Sequence, residues 1–244
     1  KPGRVLLKDD ECMSALTDYQ LLNYNKMRNL EPQLLWNYFY QITQIPRPSK
    51  KEERILAWLK QIAADHQLEI VQDKAGNLVI RKPATPGYET HPGVILQSHV
   101  DMVCEKNTGT EFNFDTDAIQ AYIDGDWVKA RGTTLGADNG IGMAMALSVL
   151  TSPEIQHPAI ECLFTVDEET GLTGAFALEK GLLKGEILIN LASEDDGEVF
   201  IGCAGGIGTK AFFDLKQEAA PQGLFAFKVE VSGLKGGHSG GDIH

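Results

Sequence analysis

Three apolar runs, each meeting an acid-bearing turn, constrain the fold of this chain more than any other feature. Residues 94–97 run straight into Ser98-His99-Val100-Asp101-Met102, and residues 159–166 end at Asp167-Glu168-Glu169-Thr170-Gly171. The almost wholly apolar stretch 140–150 starts just after Gly136-Ala137-Asp138-Asn139. The short runs read as buried strands and the longer one as a buried helix. Strands alternating with helices predict an α/β fold with a mixed, partly parallel sheet flanked by helices. In such sheets ligands gather at the carboxyl ends of the strands, which is where these acids fall.

The remaining pattern fills in that frame. Residues 33–44 carry Leu35, Phe39 and Ile42 at helical spacing. Ser49, three residues before Glu52, reads as a capping box that opens a helix with Ile55, Leu59 and Ile62 on one face. Residues 68–72 and 77–81 read as strands joined by Asp73-Lys74-Ala75-Gly76, and residues 121–123 and 127–130 flank the turn Asp124-Gly125-Asp126. A short helix is expected at 174–179, buried strands at 186–190 and 198–203, and a new strand at 224–231 after Pro221. Residues 1–26 lack clean periodicity and read as a disordered extension, with Met27 as the expected natural start. The chain stops just after a glycine-rich turn, so it reads as a fragment of something longer.

Composition narrows the function. A net charge of -12 argues against nucleic acid, whose backbone demands a basic face, and against an anionic membrane surface. No apolar run approaches the roughly 20 residues of a membrane span, and Lys8-Asp9-Asp10-Glu11 interrupt any signal-peptide core. Cys12, Cys104, Cys162 and Cys203 are far apart and form no Cys-x-x-Cys pair, so they read as reduced thiols of a cytoplasmic protein.

His99 and Asp101 stand two apart in an extended stretch, so their side chains share one face. Imidazole with carboxylates is the ligand chemistry of a hydrolytic zinc site, with Asp101 holding the second ring nitrogen of a ligating His99. Alone, the pair reads as an ordinary hydrogen bond at a strand end. Asp138 precedes an apolar helix, where Asp is a favoured cap; Gly136 and Gly140 equally suit a tight backbone that aims the carboxylate at a second partner. Glu168 and Glu169 follow a buried strand, and adjacent residues of an extended chain point to opposite sides. One could ligate a cation while the other reaches a water, or both could belong to a solvated acidic loop. Three successive acids repel one another, and a nearby cation would relieve that repulsion. His238, in Lys235-Gly236-Gly237-His238-Ser239-Gly240-Gly241, reads as a turn histidine or as an oxyanion donor on a mobile second domain. Cys104 reads as core, having no activating partner, and His66, His91 and His157 receive no role.

Together these stretches closely resemble the aminoacyl-histidine dipeptidases, the Xaa-His dipeptidase or PepD group within the M20 metallopeptidases. The resemblance rests on Ile45-Pro46-Arg47-Pro48-Ser49, Gly76-Asn77-Leu78, Gln97-Ser98-His99-Val100-Asp101-Met102-Val103 and Lys129 through Gly142, which contains Leu135-Gly136-Ala137-Asp138-Asn139-Gly140. It continues in Glu168-Glu169-Thr170-Gly171, Gly202-Cys203-Ala204-Gly205-Gly206 and the glycine-rich stretch around His238. Their order along the chain from about Leu30 onward is far more specific than any single motif.

The resemblance implies a hydrolase with two Zn2+ ions that cleaves dipeptides such as carnosine, and it leaves a homodimer open. It implies that His99 binds one zinc, Asp138 bridges both, and Glu169 binds the second. Asp101 would orient His99, and Glu168 would be the general base toward a metal-activated water. Residues 27–205 would form the metal-binding catalytic domain, and residues 206–244 the start of a smaller α+β lid domain.

One departure stands out. In Asn190-Leu191-Ala192-Ser193-Glu194 the family has a ligand aspartate where this chain has Ala192, and the flanking matches fix that register. The family's last zinc-binding histidine comes from near its carboxyl terminus, which this chain does not reach. The first metal site is therefore expected to be impaired. Two competing readings follow: a non-catalytic M20 relative that binds peptide or a protein partner through the same cleft, and an M20 aminoacylase or carboxypeptidase.

Overall fold

The structure, a computed structural model, describes residues 26–27, 29–193, 197–202, 209–216, 218–219 and 221–234. The chain divides into two units, the first running to Val199 and the second from Phe200. In the first unit, α1 (Gln33–Thr43) and α2 (Glu53–Asp65) precede the hairpin of β1 (Glu69–Gln72) and β2 (Leu78–Lys82). Then come β3 (Val94–His99), the separate hairpin β4 (Ala121–Asp124) with β5 (Trp127–Ala130), and α3 (Ala137–Thr151). The central strand β6 (Ile160–Thr165) leads to the short α4 (Thr173–Phe176) and the last strand β7 (Ile187–Asn190).

The five-stranded sheet has the order β1-β2-β6-β3-β7. β1, β2 and β6 pair antiparallel, while β3 runs parallel to both β6 and β7. This is the mixed, partly parallel sheet that the alternation of apolar runs predicts. Side chains alternate across it. Leu78, Ile80, Leu96, Cys162 and Phe164 join the large core with Phe39, Ile42, Ile55, Leu59, Met143 and Leu147 of the helices. Val79, Ile95 and Leu163 face the other way, against Leu178, Leu182 and Leu183. β6 is buried at every position, which is why its sequence is apolar apart from Glu161, paired with Arg81, and Thr165 at its end.

Several expectations need correction. The capping box does not form. The Ser49 hydroxyl donates instead to Asp101 Oδ2 at 2.7 Å, and Glu52 is itself the residue preceding α2, accepting from the Lys50 N–H. A buried carboxylate is the stronger acceptor for that hydroxyl. β7 forms where expected but is exposed at all four positions, an edge strand with a neighbour on one side only among the described residues. Residues 198–202 and 224–231 form no strand, and the described residues from Phe200 onward are all exposed, without helix or strand. A strand exists only by pairing, so β-branched composition alone does not create one. His238, Cys203 and the extension up to residue 25 lie outside the described residues. Among the described residues no helix is long and apolar enough to cross a membrane.

Candidate active site

Parallel register sets the level of the chemistry. His99, the last residue of β3, lies opposite Thr165, the last of β6, so the acids at 167–169 begin two residues beyond it. Gln97 pairs with Asn190 of β7, and two residues further along each strand stand His99 and Ala192. Three neighbouring strands thus deliver residues to one edge of the sheet. Ala192 does face the site: with His99, Glu168, Leu172, Leu188 and Asn190 it lines a cavity of about 280 Å³.

Asp138 reaches the same place from α3. Gly136, at φ +73, turns the chain into the helix, and Asp138 and Asn139 keep non-helical backbone angles. The Asp138 side chain makes no cap hydrogen bond; its Oδ1 lies 2.9 Å from His99 Nε2. The cap reading is thereby replaced by a contact across the site. The other ring nitrogen, Nδ1, sits 3.2 Å from the Asp101 main-chain oxygen and 3.3 Å from Asp101 Oδ1, so Asp101 does hold the imidazole.

The acid turn after β6 is held by side chains rather than by a ladder. Four successive main-chain N–H groups are each captured: Val166 donates to Asn77 Oδ1 at 3.1 Å, Asp167 to Glu52 Oε1 at 3.0 Å, Glu168 to Asp101 Oδ1 at 3.0 Å and Glu169 to Asp101 Oδ2 at 3.1 Å. Asn77 also donates to Gly174 O at 2.8 Å, closing the far end of the turn. Asp167 takes a positive φ of 51, so this is not extended chain. Glu168 and Glu169 consequently do not point to opposite sides as expected. One donor atom each from His99, Glu168 and Glu169 lie within 4.8 Å of one another, with Glu168 Oε2 4.0 Å from His99 Nε2. Asp167 turns inward instead, buried with Glu52 and Asp101, and accepts a hydrogen bond from the Thr170 hydroxyl.

Burial disfavours a charge on His99, yet hydrogen bonds and charges from Asp101 and Asp138 outweigh it and raise its pKa to about 9. Burial alone would raise Asp101, but bonds from His99, Ser49 and the N–H groups of Glu168 and Glu169 hold it down at about 2. Glu168 and Glu169 are both pushed up, by burial first and then by the neighbouring carboxylates, with His99 opposing. Burial and mutual repulsion both disfavour full ionisation of the two glutamates, and a cation among them would relieve the repulsion. One atom points the same way: Glu169 Oε1 is buried with no hydrogen-bond partner among the described residues. An oxygen donor left unmatched beside an imidazole and two more carboxylates suits a divalent cation. Cys104 is pushed up to about 11, chiefly by burial, which fits a core thiol and no nucleophile.

Of the residues that shape this site most, Arg47 and Asn77 received no individual role from the sequence, and Glu52 was read only as the capping partner of Ser49. Their site partners include residues far away along the chain. Only their places in Ile45-Pro46-Arg47-Pro48-Ser49 and Gly76-Asn77-Leu78 drew attention to two of them.

Imidazole and carboxylates gathered at the ends of parallel strands form a donor set that suits a divalent cation. The chain matches peptidase family M20/M25/M40 over residues 95–237, more than half its length, and it belongs to that family. It is 50% identical over 220 residues to the cytosol non-specific dipeptidase of Escherichia coli (strain K12), a match covering 90% of this chain and 45% of that protein. Its structure resembles that of the aminoacylhistidine dipeptidase from Vibrio alginolyticus, with a TM-score of 0.71 and 54% identity over 72% of this chain and 36% of that one. The aminopeptidase PepT from Bacillus cereus follows at a TM-score of 0.57 and 27% identity, covering 68% of this chain and 44% of that one. The chain therefore spans less than half the length of each of these relatives.

Proposed function

We propose that this chain carries the metal-binding part of a zinc-dependent, cytoplasmic dipeptidase acting on Xaa-His substrates such as carnosine. Residues 27–205 form its catalytic domain in this reading, and residues 206–244 begin a lid domain. The observation that carries it is the convergence of His99, Asp138, Glu168 and the unpartnered Glu169 Oε1 at the ends of parallel strands, in a chain half identical to a dipeptidase. His99, Asp138 and Glu169 would hold the metal. Zinc bound there supplies Lewis-acid polarisation and a lowered pKa for water.

The remaining work falls to side chains of this protein. Asp101 holds the His99 ring through Nδ1, leaving Nε2 to face Asp138. Glu168 takes the proton of the attacking water and returns it to the leaving amine. Burial and neighbouring carboxylates push its pKa up, toward the range a base working near neutrality needs. His238 is proposed as the donor to the developing oxyanion. The test is hydrolysis of carnosine by zinc-loaded protein carrying this chain, followed by release of free histidine. Absence of both zinc binding and turnover would overturn the reading.

A second reading is favoured by Ala192. Catalytic zinc normally has three protein ligands, and the side chain at this level of β7 offers none. A relative that binds peptide without cleaving it would show saturable carnosine binding and no free histidine.

A further inference from the structure

Arg47 has no place in the metal reading, yet its long charged side chain is buried in the interior. It is 2% exposed and the largest fully buried side chain in the core. Its three hydrogen bonds among the described residues all go to main-chain carbonyls. Nη1 donates to Val100 O at 2.9 Å and to Asp101 O at 2.6 Å, and Nη2 donates to Gly136 O at 2.5 Å. An interior guanidinium without a carboxylate bound to it is expensive to bury. Burial lowers its pKa to about 10, opposed by the charges of Asp101, Cys104, Asp138 and Glu169. An apolar side chain of that size would fill the space but leave the Val100, Asp101 and Gly136 carbonyls without these donors.

The glycines on either side of Asp138 are shaped around it. A Cβ at Gly136 would lie 2.5 Å from Arg47 Nη2, and one at Gly140 would lie 3.0 Å from the same atom. The two carbonyl groups on the β3 side follow directly after His99 and at Asp101; the third precedes Asp138 by two residues. The planar fork therefore spans the only two segments that bring His99 and Asp138 face to face.

We infer that Arg47 is a positioning residue that braces the end of β3 against the start of α3 and so sets the spacing between His99 and Asp138. This inference rests on the proposed metal-ligand role of those two residues. A guanidinium is needed because its donors diverge in a fixed plane, whereas a lysine ammonium on a flexible stem serves such a span poorly. Its charge also interacts favourably with those of Asp101, Asp138 and Glu169.

Arg47→Lys, which keeps the charge and removes the fork, separates these possibilities in two measurements. A crystal structure of the metal-free variant is expected to show the His99 Nε2 to Asp138 Oδ1 distance, 2.9 Å in the parent, opened beyond about 3.5 Å. Titration with cobalt(II) alone, followed by visible absorption, is expected to show affinity about 10- to 100-fold weaker and an altered spectrum. A merely structural role would lower the melting temperature and leave both distance and cobalt spectrum as in the parent; that result overturns the inference. Should Arg47→Lys fail to fold, Gly140→Ala presses on Nη2 without removing it, and a parental distance and cobalt affinity in that variant overturn the inference equally. A parent protein that binds no cobalt would defeat the metal reading only, because the metal-free distance still decides the role of Arg47.

Discussion

At the carboxyl end of β6, four successive N–H groups are taken up by Asn77, Glu52 and Asp101, side chains drawn from three different parts of the fold. At the carboxyl end of β7, the Ala192 N–H turns back on Asn190 Oδ1, two residues away, at 2.8 Å. The first turn is cross-braced and buried at Val166 and Asp167, and the second is held by a local bond only. Long-range bonds fix a side chain against the rest of the molecule, whereas a bond to a near neighbour fixes only the neighbour. The acids at 167–169 are thus preorganised, while residue 192 sits at the right level with nothing to present. A defect in chemistry at the second place leaves the architecture of the first intact.

The sharpest break of this contrast is Glu168→Ala. If the braced turn exists to aim a base, turnover should fall by about 10²- to 10⁴-fold while zinc content, measured by metal analysis, stays close to that of the parent. Equal loss of zinc and activity would mean that Glu168 and Glu169 have exchanged roles.

Next in size is Asp101→Asn, which removes the acceptor shared by two N–H groups, Ser49 and His99. Breaking such a buried charged network should lower stability at pH 7 by about 3 kcal/mol, read by chemical denaturation. The sign with pH follows from the depressed pKa, about 2 when folded against 3.8 ordinarily. The stabilisation is present above pH 4 and is lost as pH falls through about 2. The gap between parent and variant should therefore narrow on acidification. A gap that is the same at pH 7 and at pH 2.5 would remove Asp101 from its proposed place.

Ala192→Asp addresses the other side of the comparison. A carboxylate at the level of His99 should tighten zinc binding about tenfold or more, by analogy with the effect of a single well-placed partner, and raise zinc stoichiometry toward two. Two tightly held zinc ions already present with Ala192 would show that another residue supplies the ligand. The smallest effect is expected for Ile189→Thr on exposed β7, within about 0.5 kcal/mol of the parent. A loss of several kcal/mol there would mean that β7 is as tightly built as β6.

How much of this was readable beforehand depends on how local the cause is. The apolar runs marked β3, β6 and α3 well, because burial on both faces leaves no polar alternation to confuse. His99, Asp101, Asp138, Glu168 and Glu169 stood out because acids at the ends of such runs are out of keeping with their neighbours. The opposite directions expected for Glu168 and Glu169 were wrong because the turn is shaped by Glu52 and Asp101, which lie far away in sequence. Ser49 misled for the same reason: the spacing to Glu52 is a local signal, and a distant carboxylate outcompeted it. The exposure of β7 could not be foreseen, since Ile187, Leu188 and Ile189 have the composition of an interior strand and only pairing order places them at the edge.

The shared register of β3, β6 and β7 has an evolutionary consequence. The pairing of β3 with β6 and β7 brings residues 99, 167–169 and 192 to one level, side chains then hold the acid turn in place, and the side chain at 192 takes no part in the buried core. The catalytic repertoire can then drift at one such position by a single codon while the scaffold is inherited unchanged. A change of side chain at 192 therefore alters what the cleft presents without altering the core that carries it.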